Sequence, residues 1–264
     1  MPNLKWEKFE QSGIAKQDFH WLKKIILAFL AGVFVAMGYV AMIMIVGNDT
    51  GSSTLGLTKF FGSVIFCVGI LMCMFVGACL FTANCSIYAG VLTKKCSRKV
   101  FYMDLLYTFI GNYLGSLFMA CMIYGIGLLD SEGTSNLVRQ ISTTKIELSW
   151  WKTFLSAVIT NFLVVGCVIS LSIFENKVVG FLTTLVMITA FAICSYQHVV
   201  ANMFITTIGG FYGIFDGNWG LLGKMFYQCI LMSLLGNFAG GVFLTYCYYL
   251  VWNKLNVTTT IKGA

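Results

Sequence analysis

The feature that constrains this chain most is a series of long apolar runs that contain no Asp, Glu, Lys or Arg. Six such runs are separated by short charged stretches: residues 25–46, 60–93, 105–129, 153–174, 178–215 and 225–253. Each run can carry about twenty helical residues across a bilayer core about 30 Å thick. Composition agrees, because 58% of the residues are hydrophobic and only 10% are charged, which leaves too little polar surface for a soluble domain. We therefore predict an all-α integral membrane protein, a single transmembrane domain over residues 1–264 with six transmembrane helices.

The basic residues are distributed unevenly among the segments that connect these runs. With the amino end placed inside, the inner segments hold twelve of the seventeen Lys and Arg residues and the outer segments hold five. Because cytoplasmic loops carry the excess of basic residues, this predicts cytoplasmic termini in the plasma (cell inner) membrane. Residues 1–24 alternate charged and apolar side chains and predict a cytoplasmic amphipathic segment; His20 leaves open a pH-responsive gate there. Residues 254–264 are expected to form a cytoplasmic tail.

The six runs contain a duplication. Their lengths follow a short, long, middling order twice, and "FLAGV" at 29–33 and "GNYLGSLF" at 111–118 recur as "FLSAV" at 154–158 and "GNFAGGVF" at 236–243, both 125 positions later. Two matches at one offset indicate an internal repeat. Three spans per half is an odd number, so residues 25–129 and 150–253 are predicted to have opposite orientations in the membrane. The glycines spaced by four in the second pair of matches favour close helix packing.

The second and fifth runs are too long for single transmembrane helices. At 34 and 38 residues, continuous helices would measure about 50–57 Å, well beyond the hydrocarbon core. The sequence has only one proline, Pro2, so breaks must come from Gly, Ser, Asn and Thr. We predict them within residues 77–86 and 194–203, with Asn84 and Asn202 capping the backbone there. Paired broken helices at matching places in inverted halves indicate a permeation site.

His198 lies within the predicted break of the fifth run. A lone histidine among apolar residues can be a packing residue, but an ionisable group at membrane depth is a candidate for function. Thr82 lies in the opposite break. The ten cysteines form no CxxC pair, so neither a disulfide framework nor a metal site is predicted. No span offers a partnered carboxylate, so neither an enzyme nor a cofactor is expected. The net charge of +7 follows from the loop asymmetry and does not indicate nucleic-acid binding.

These residues resemble the formate/nitrite transporter family, over about residues 8–253. The family's second-span motif matches Leu80, Phe81 and Thr82, and its fifth-span histidine with "ANMF" matches His198 and residues 201–204. Two positions depart from the pattern. Relatives often have an acidic residue where this chain has Cys79, and several have glutamate where it has Gln197.

The resemblance implies an aquaporin-like fold, a homopentamer and one pore per protomer. It places Lys145 in an outer vestibule, aromatic constrictions at Phe66 and Phe191, and aliphatic constrictions at Ile70 and Leu80. It also implies polar pore-side asparagines at Asn161 and Asn237. Without the resemblance, Lys145 reads as a loop lysine and the four constriction residues read as core or lipid-facing side chains.

The expected function is passage of a small monovalent weak acid or its anion, together with protons, through a pore surrounded by lipid. An unpaired charge at mid-bilayer is costly, so a central histidine is expected to assist protonation of the substrate, since histidine titrates near physiological pH. Formate is the favoured substrate, and hydrosulfide, nitrite, acetate and lactate stay open. A neutral-solute pore of the aquaporin type is the alternative from a different class, and the single proline disfavours it because that class uses two proline-containing loops.

Overall fold

The structure is a computed structural model that describes residues 2–16, 19–49 and 55–255. The predicted tail from residue 256 onward lies outside the described residues. The described parts are helical and contain no strand. Five helices are long and apolar enough to cross a membrane: Trp21–Gly47, Gly56–Val76, Arg98–Gly125, Trp150–Ile173 and Trp219–Lys254. The prediction of an all-helical protein with several apolar membrane-spanning helices is confirmed.

The helices follow one another in the order that the duplication suggests. A short helix α1 (Pro2–Ile14) precedes α2 (Trp21–Gly47), α3 (Leu55–Val76), α4 (Phe81–Asn84), α5 (Tyr88–Leu92) and α6 (Arg98–Gly125). Then α7 (Glu132–Glu147) leads to α8 (Trp150–Ile173), α9 (Lys177–Ile193), α10 (Val199–Phe211), α11 (Trp219–Lys224) and α12 (Met232–Tyr249). A 3₁₀ turn (Cys85–Ile87) joins α4 to α5, and π-helical segments (Met225–Leu231 and Leu250–Lys254) flank α12.

Two pairs of helices pack backbone against backbone. A Cβ atom placed on Gly115 of α6 would lie 2.0 Å from the carbonyl oxygen of Phe29 in α2. In the second half, a Cβ on Gly240 of α12 would lie 2.4 Å from the carbonyl oxygen of Val158 in α8. Only glycine permits such an approach. The close packing predicted from the repeated glycines is therefore present in both halves.

The second and fifth apolar runs are interrupted, as the lengths of the runs predict. The second run is divided between α3 and α4, and the fifth between α9 and α10. The break after α3 contains a residue with positive φ at Gly77 (φ +90°), and the break after α9 contains one at Ser195 (φ +54°). The fifth run therefore consists of two short apolar helices, Lys177–Ile193 and Val199–Phe211, neither of which reaches the length of a full span.

The predicted ends of two runs were wrong because they were drawn at charged residues. Helix α6 begins at Arg98, not at 105, and includes Asp104; α2 begins at Trp21, not at 25, and includes Lys24. The Lys24 Nζ atom lies 2.8 Å from Asp104 Oδ1, and both side chains are almost fully buried. A charge rule places helix ends at such residues, whereas mutual pairing lets both continue inside the helix bundle.

Helix α1 lies against the ends of other helices. Glu10 is 1% exposed and pairs with Lys95 Nζ at 2.7 Å, while Lys8 Nζ contacts Glu175 at 2.6 Å. The Ser12 hydroxyl lies 3.0 Å from that of Ser172, near the carboxyl end of α8. Helix α1 thus occupies part of the predicted amino-terminal segment and packs on protein through these contacts, and α2 begins within that segment, at Trp21.

Candidate functional site

Asn112 of α6 holds the break in the first half. Its Oδ1 atom accepts a hydrogen bond from the backbone N–H of Phe81 at 2.9 Å. Its amide nitrogen donates to the carbonyl oxygens of Ala28 at 2.8 Å and Cys79 at 2.9 Å. The first residues of a helix have no intrahelical acceptor for their N–H groups. Asn112 therefore supplies at α4 the backbone partners that the break removes.

Asn237 of α12 has the same role in the second half. Its Oδ1 atom accepts from the backbone N–H of Val199 at 2.9 Å, and its amide nitrogen donates to the carbonyl oxygens of Ala157 at 2.7 Å and Gln197 at 3.1 Å. Because 112 and 237 are separated by the repeat offset of 125, one residue type holds both breaks. The sequence suggested packing and a pore-side amide for these positions, whereas the amide of Asn237 is engaged with backbone groups.

Thr82 and His198 meet where the two breaks face each other. The Thr82 Oγ1 atom lies 3.0 Å from His198 Nε2, and both residues are fully buried. His198 also caps α10, because its Nδ1 atom accepts the backbone N–H of Ala201 at 3.2 Å. With Nδ1 used as an acceptor, the ring carries its proton on Nε2. The imidazole then donates to Thr82, which leaves the hydroxyl proton of Thr82 free to donate elsewhere.

Aromatic rings cover one side of this pair. The ring of Phe191 stacks on that of His198 with centroids 5.7 Å apart and an angle of 13°. Phe66 meets Phe191 edge to face at 5.6 Å, and Tyr39 meets Phe66 at 5.4 Å. The predicted aromatic residues of the two halves thus lie together, next to the histidine.

The predicted aliphatic residues are buried as well. Ile70 of α3 is 0% exposed and Leu80, which immediately precedes α4, is 1% exposed. Leu80 takes in the first half the place that His198 takes in the second, since its carbonyl oxygen accepts from Asn84 N at 2.8 Å as that of His198 accepts from Asn202 N at 2.8 Å. The residue that precedes the helix after the break is therefore apolar in the first half (Leu80) and polar in the second half (His198).

Lys145 reaches the break from outside the apolar helices. It lies in the last turn of α7 and is 7% exposed. Its Nζ atom contacts Gln197 Oε1 at 3.3 Å, and the same oxygen accepts from Asn202 Nδ2 at 3.0 Å. Burial lowers the pKa of Lys145 from its ordinary value of 10.5 to about 8, because desolvation disfavours the charged amine. The amine of Lys145 thus contacts Gln197, the residue that immediately precedes His198.

Asn161 of α8 is fully buried and donates to the carbonyl oxygen of Asn237 at 2.5 Å. Its Oδ1 atom has no hydrogen-bond partner among the described residues. Asn161 therefore contacts the backbone of Asn237, and its own side-chain oxygen stays unpaired in the structure.

Sequence reasoning missed a polar cluster in the first half. The amide of Asn84 donates to Asp104 Oδ2 at 2.9 Å and to the hydroxyl of Thr108 at 3.2 Å, and its Oδ1 atom accepts from Lys16 Nζ at 3.3 Å. Asp104 in turn pairs with Lys24. Asn84 and Asn202 thus bond other side chains and do not cap backbone as expected. The available signal was Asp104, the acidic residue beside an otherwise apolar run.

None of the ten cysteines, all of which lie within the described residues, forms a disulfide. Among the residues that the structure describes, no three His, Cys, Asp or Glu side chains are grouped to hold a metal ion. The chemistry of the site is therefore that of the threonine, histidine, lysine and amide groups above.

Comparisons with known proteins agree with this architecture. Residues 5–251 match the family model described as formate/nitrite transporter. The chain is 29% identical to the uncharacterized transporter YrhG of Bacillus subtilis, covering 92% of this chain and 90% of that protein. It is 25% identical to the formate channel BtFdhC of Bacillus thuringiensis, covering 92% of each.

It is also 29% identical to the formate-nitrite transporter of Entamoeba histolytica over 88% of this chain, and there it spans only 64% of the relative's length. Two solved structures share the fold. An FNT family ion channel superposes with a TM-score of 0.82 at 22% identity, covering 94% of this chain and 98% of that one. A pentameric formate channel with formate bound gives 0.75 at 20% identity, covering 89% and 98%. A family model that matches nearly the whole chain, on a fold shared with channels of that family, establishes that this protein belongs to the formate/nitrite transporter family.

Proposed function

We propose that the chain forms a pore through which small monovalent weak acids cross the membrane, with formate as the preferred substrate. The observation that carries this proposal is the contact between Thr82 and His198, which joins the two helix breaks beside a wall of aromatic rings. Hydrosulfide, nitrite, acetate and lactate are the alternatives for the same pore.

The site would act on both forms of the acid in sequence. Lys145 attracts the anion, and the buried surroundings of Phe66, Phe191, Ile70 and Leu80 then disfavour a charge, because transfer of an ion out of water is costly. The neutral acid passes far more easily. Thr82 donates a hydrogen bond to the passing molecule while His198 holds the threonine hydroxyl in place.

The hydrogen bonds of His198 bear on where the proton comes from. Its Nδ1 atom accepts a backbone N–H, so a proton added there would set two donors against each other and remove the cap of α10. We therefore assign His198 the role of a neutral donor to Thr82, which in turn binds the protonated substrate; the anion near Lys145 takes its proton from bulk water and continues as the neutral acid. This role differs from the expectation that the ring assists protonation of the substrate.

We further propose six spans in two inverted halves, a homopentamer with one pore per protomer, and cytoplasmic termini in the plasma membrane. The pentameric formate channel of the same fold supports the assembly, and the excess of Lys and Arg in the predicted inner segments supports the orientation.

Formate uptake into proteoliposomes tests the proposal. An inward proton gradient should accelerate uptake of an undissociated acid, whereas an anion leak should follow membrane potential. His198→Asn keeps a capping oxygen for Ala201 but removes Nε2, and Thr82→Val removes the hydroxyl. Each should slow uptake about tenfold, the equivalent of one hydrogen bond. Thr183→Val is the matched control, because this exposed hydroxyl bonds only its own helix in the structure.

Three results would count against one or another part of this proposal. No flux of any of the five acids from the parent protein would remove the transport claim. Rapid flux of water or glycerol with no acid flux would favour a neutral-solute pore. A pH dependence of uptake that the parent shows and His198→Asn loses would return the histidine to the role of proton donor.

A further inference from the structure

One buried amide beside the site has an unoccupied acceptor. Asn202 of α10 is 0% exposed, and its Nδ2 atom donates to Gln197 Oε1. Its Oδ1 atom has no hydrogen-bond partner among the described residues. Buried carbonyl oxygens are nearly always paired, so an unpaired one at this place requires an explanation.

The orientation of this amide follows from its neighbours. Lys145 can only donate hydrogen bonds, so the side-chain oxygen of Gln197, and not its nitrogen, must face the ammonium group. That oxygen also faces Asn202, which must therefore present its nitrogen. Exchanging O and N of Asn202 would oppose two acceptors. The unpaired atom of Asn202 is thus its side-chain oxygen.

The matched asparagine in the first half has no such vacancy. Asn84 Oδ1 accepts from Lys16, and Asn84 Nδ2 donates to Asp104 and Thr108. Of these two asparagines, the one in the half that carries the histidine is therefore the one with an unpaired acceptor. Asn202 stands four residues after His198, and side chains at this spacing lie on the same face of a helix.

We propose that Asn202 is a specificity-determining residue whose Oδ1 atom accepts a hydrogen bond from the O–H or S–H group of the undissociated acid. This inference rests on the proposed transport function and names the form of the substrate that the site selects. A neutral carboxylic acid can donate its O–H to Asn202 Oδ1 while its carbonyl oxygen accepts from Lys145. The anion has no proton to donate, so it leaves the amide oxygen unpaired. No bond to hydrogen is broken, and the proton stays on the acid.

Two replacements of Asn202 separate hydrogen bonding from packing. Asn202→Leu keeps the approximate shape and removes the acceptor, whereas Asn202→Asp keeps an acceptor beside Lys145. If the acceptor binds the acid, the leucine variant should raise the KM for formic acid, expressed as the undissociated species, about three- to tenfold. The aspartate variant should stay closer to the parent, because Gln197 can turn its amide nitrogen toward the new carboxylate while Lys145 pairs with that carboxylate. Asn136→Leu, an exposed asparagine on α7, is the matched control and should leave KM unchanged.

A purely structural role predicts the opposite order, because a buried carboxylate is costlier than leucine. A KM in Asn202→Leu equal to that of the parent, or a larger defect in Asn202→Asp, would overturn the inference. Binding provides an independent readout: undissociated formic acid should raise the unfolding temperature of the purified parent protein and of Asn136→Leu, but raise that of Asn202→Leu less. If the parent transports no acid yet keeps this difference, the proposed transport fails and the acceptor role holds.

Discussion

Replacing Asn237 with alanine should destabilise the protein strongly, because this side chain completes the backbone hydrogen bonding at a helix break. The substitution leaves the N–H of Val199 and the carbonyl of Gln197 without the bonds of 2.9 and 3.1 Å that Asn237 gives them. Val199 begins α10 and has no intrahelical acceptor for its N–H. A buried polar group left unpaired costs about 1–3 kcal/mol, so two such groups give about 2–6 kcal/mol.

The free energy of unfolding can be measured by SDS titration of the purified protein in mixed micelles. Asn112→Ala serves as the matched variant, since it removes the equivalent three bonds in the first half, and it should cost a similar amount. Asn136→Ala, on the exposed face of α7, is the control. A loss of less than about 1 kcal/mol for both Asn237→Ala and Asn112→Ala would refute the reasoning, because it would mean that water bonds the backbone groups at the breaks.

Four further predictions concern charge and packing. The ratio of formate uptake by the parent to uptake by Lys145→Met should fall towards one as pH rises through about 8, because the lowered pKa of Lys145 makes the amine neutral above that pH; a constant ratio would contradict this. Between pH 8 and 10.5 the unfolded chain holds more protons at this lysine, so stability should rise with pH there. Asp104→Leu should cost about 3–5 kcal/mol in the SDS titration by removing the carboxylate that pairs with the buried ammonium of Lys24, and adding Lys24→Met should recover stability; equal losses would argue against the pair. Gly115→Ala should cost about 1–3 kcal/mol through overpacking, whereas Gly125→Ala, with no atom within 4 Å of the added carbon, should not.

Several apolar spans and the two breaks could be predicted because they depend on the lengths of the runs. A helix of 34 or 38 apolar residues does not fit a bilayer, and the Gly, Ser, Asn and Thr residues within 77–86 and 194–203 mark where each run can be interrupted. The predicted breaks and the ionisable side chain at membrane depth drew attention to Thr82 and His198 before the family resemblance supported them, and the structure brings these two side chains to 3.0 Å.

The bracing roles of Asn112 and Asn237 could not be predicted, since they arise from tertiary contacts between different helices. An asparagine in a small-residue motif reads as packing until the backbone that it bonds is known. The ion pair of Lys24 and Asp104 was missed for a related reason. Charge rules treat each residue separately, while the cost of burying a charge depends on its partner.

The histidine that meets Thr82 also holds the first turn of α10, and this dual use limits how any change at position 198 can be interpreted. A residue that lacks a capping group would shift the beginning of the helix and alter the shape of the passage before any chemistry is tested. Asn, Asp, Ser and Thr keep the cap and differ in what they offer to a solute. A panel sorted by capping ability would therefore separate geometry from chemistry, and it offers a route to redesigning the passage for other small molecules.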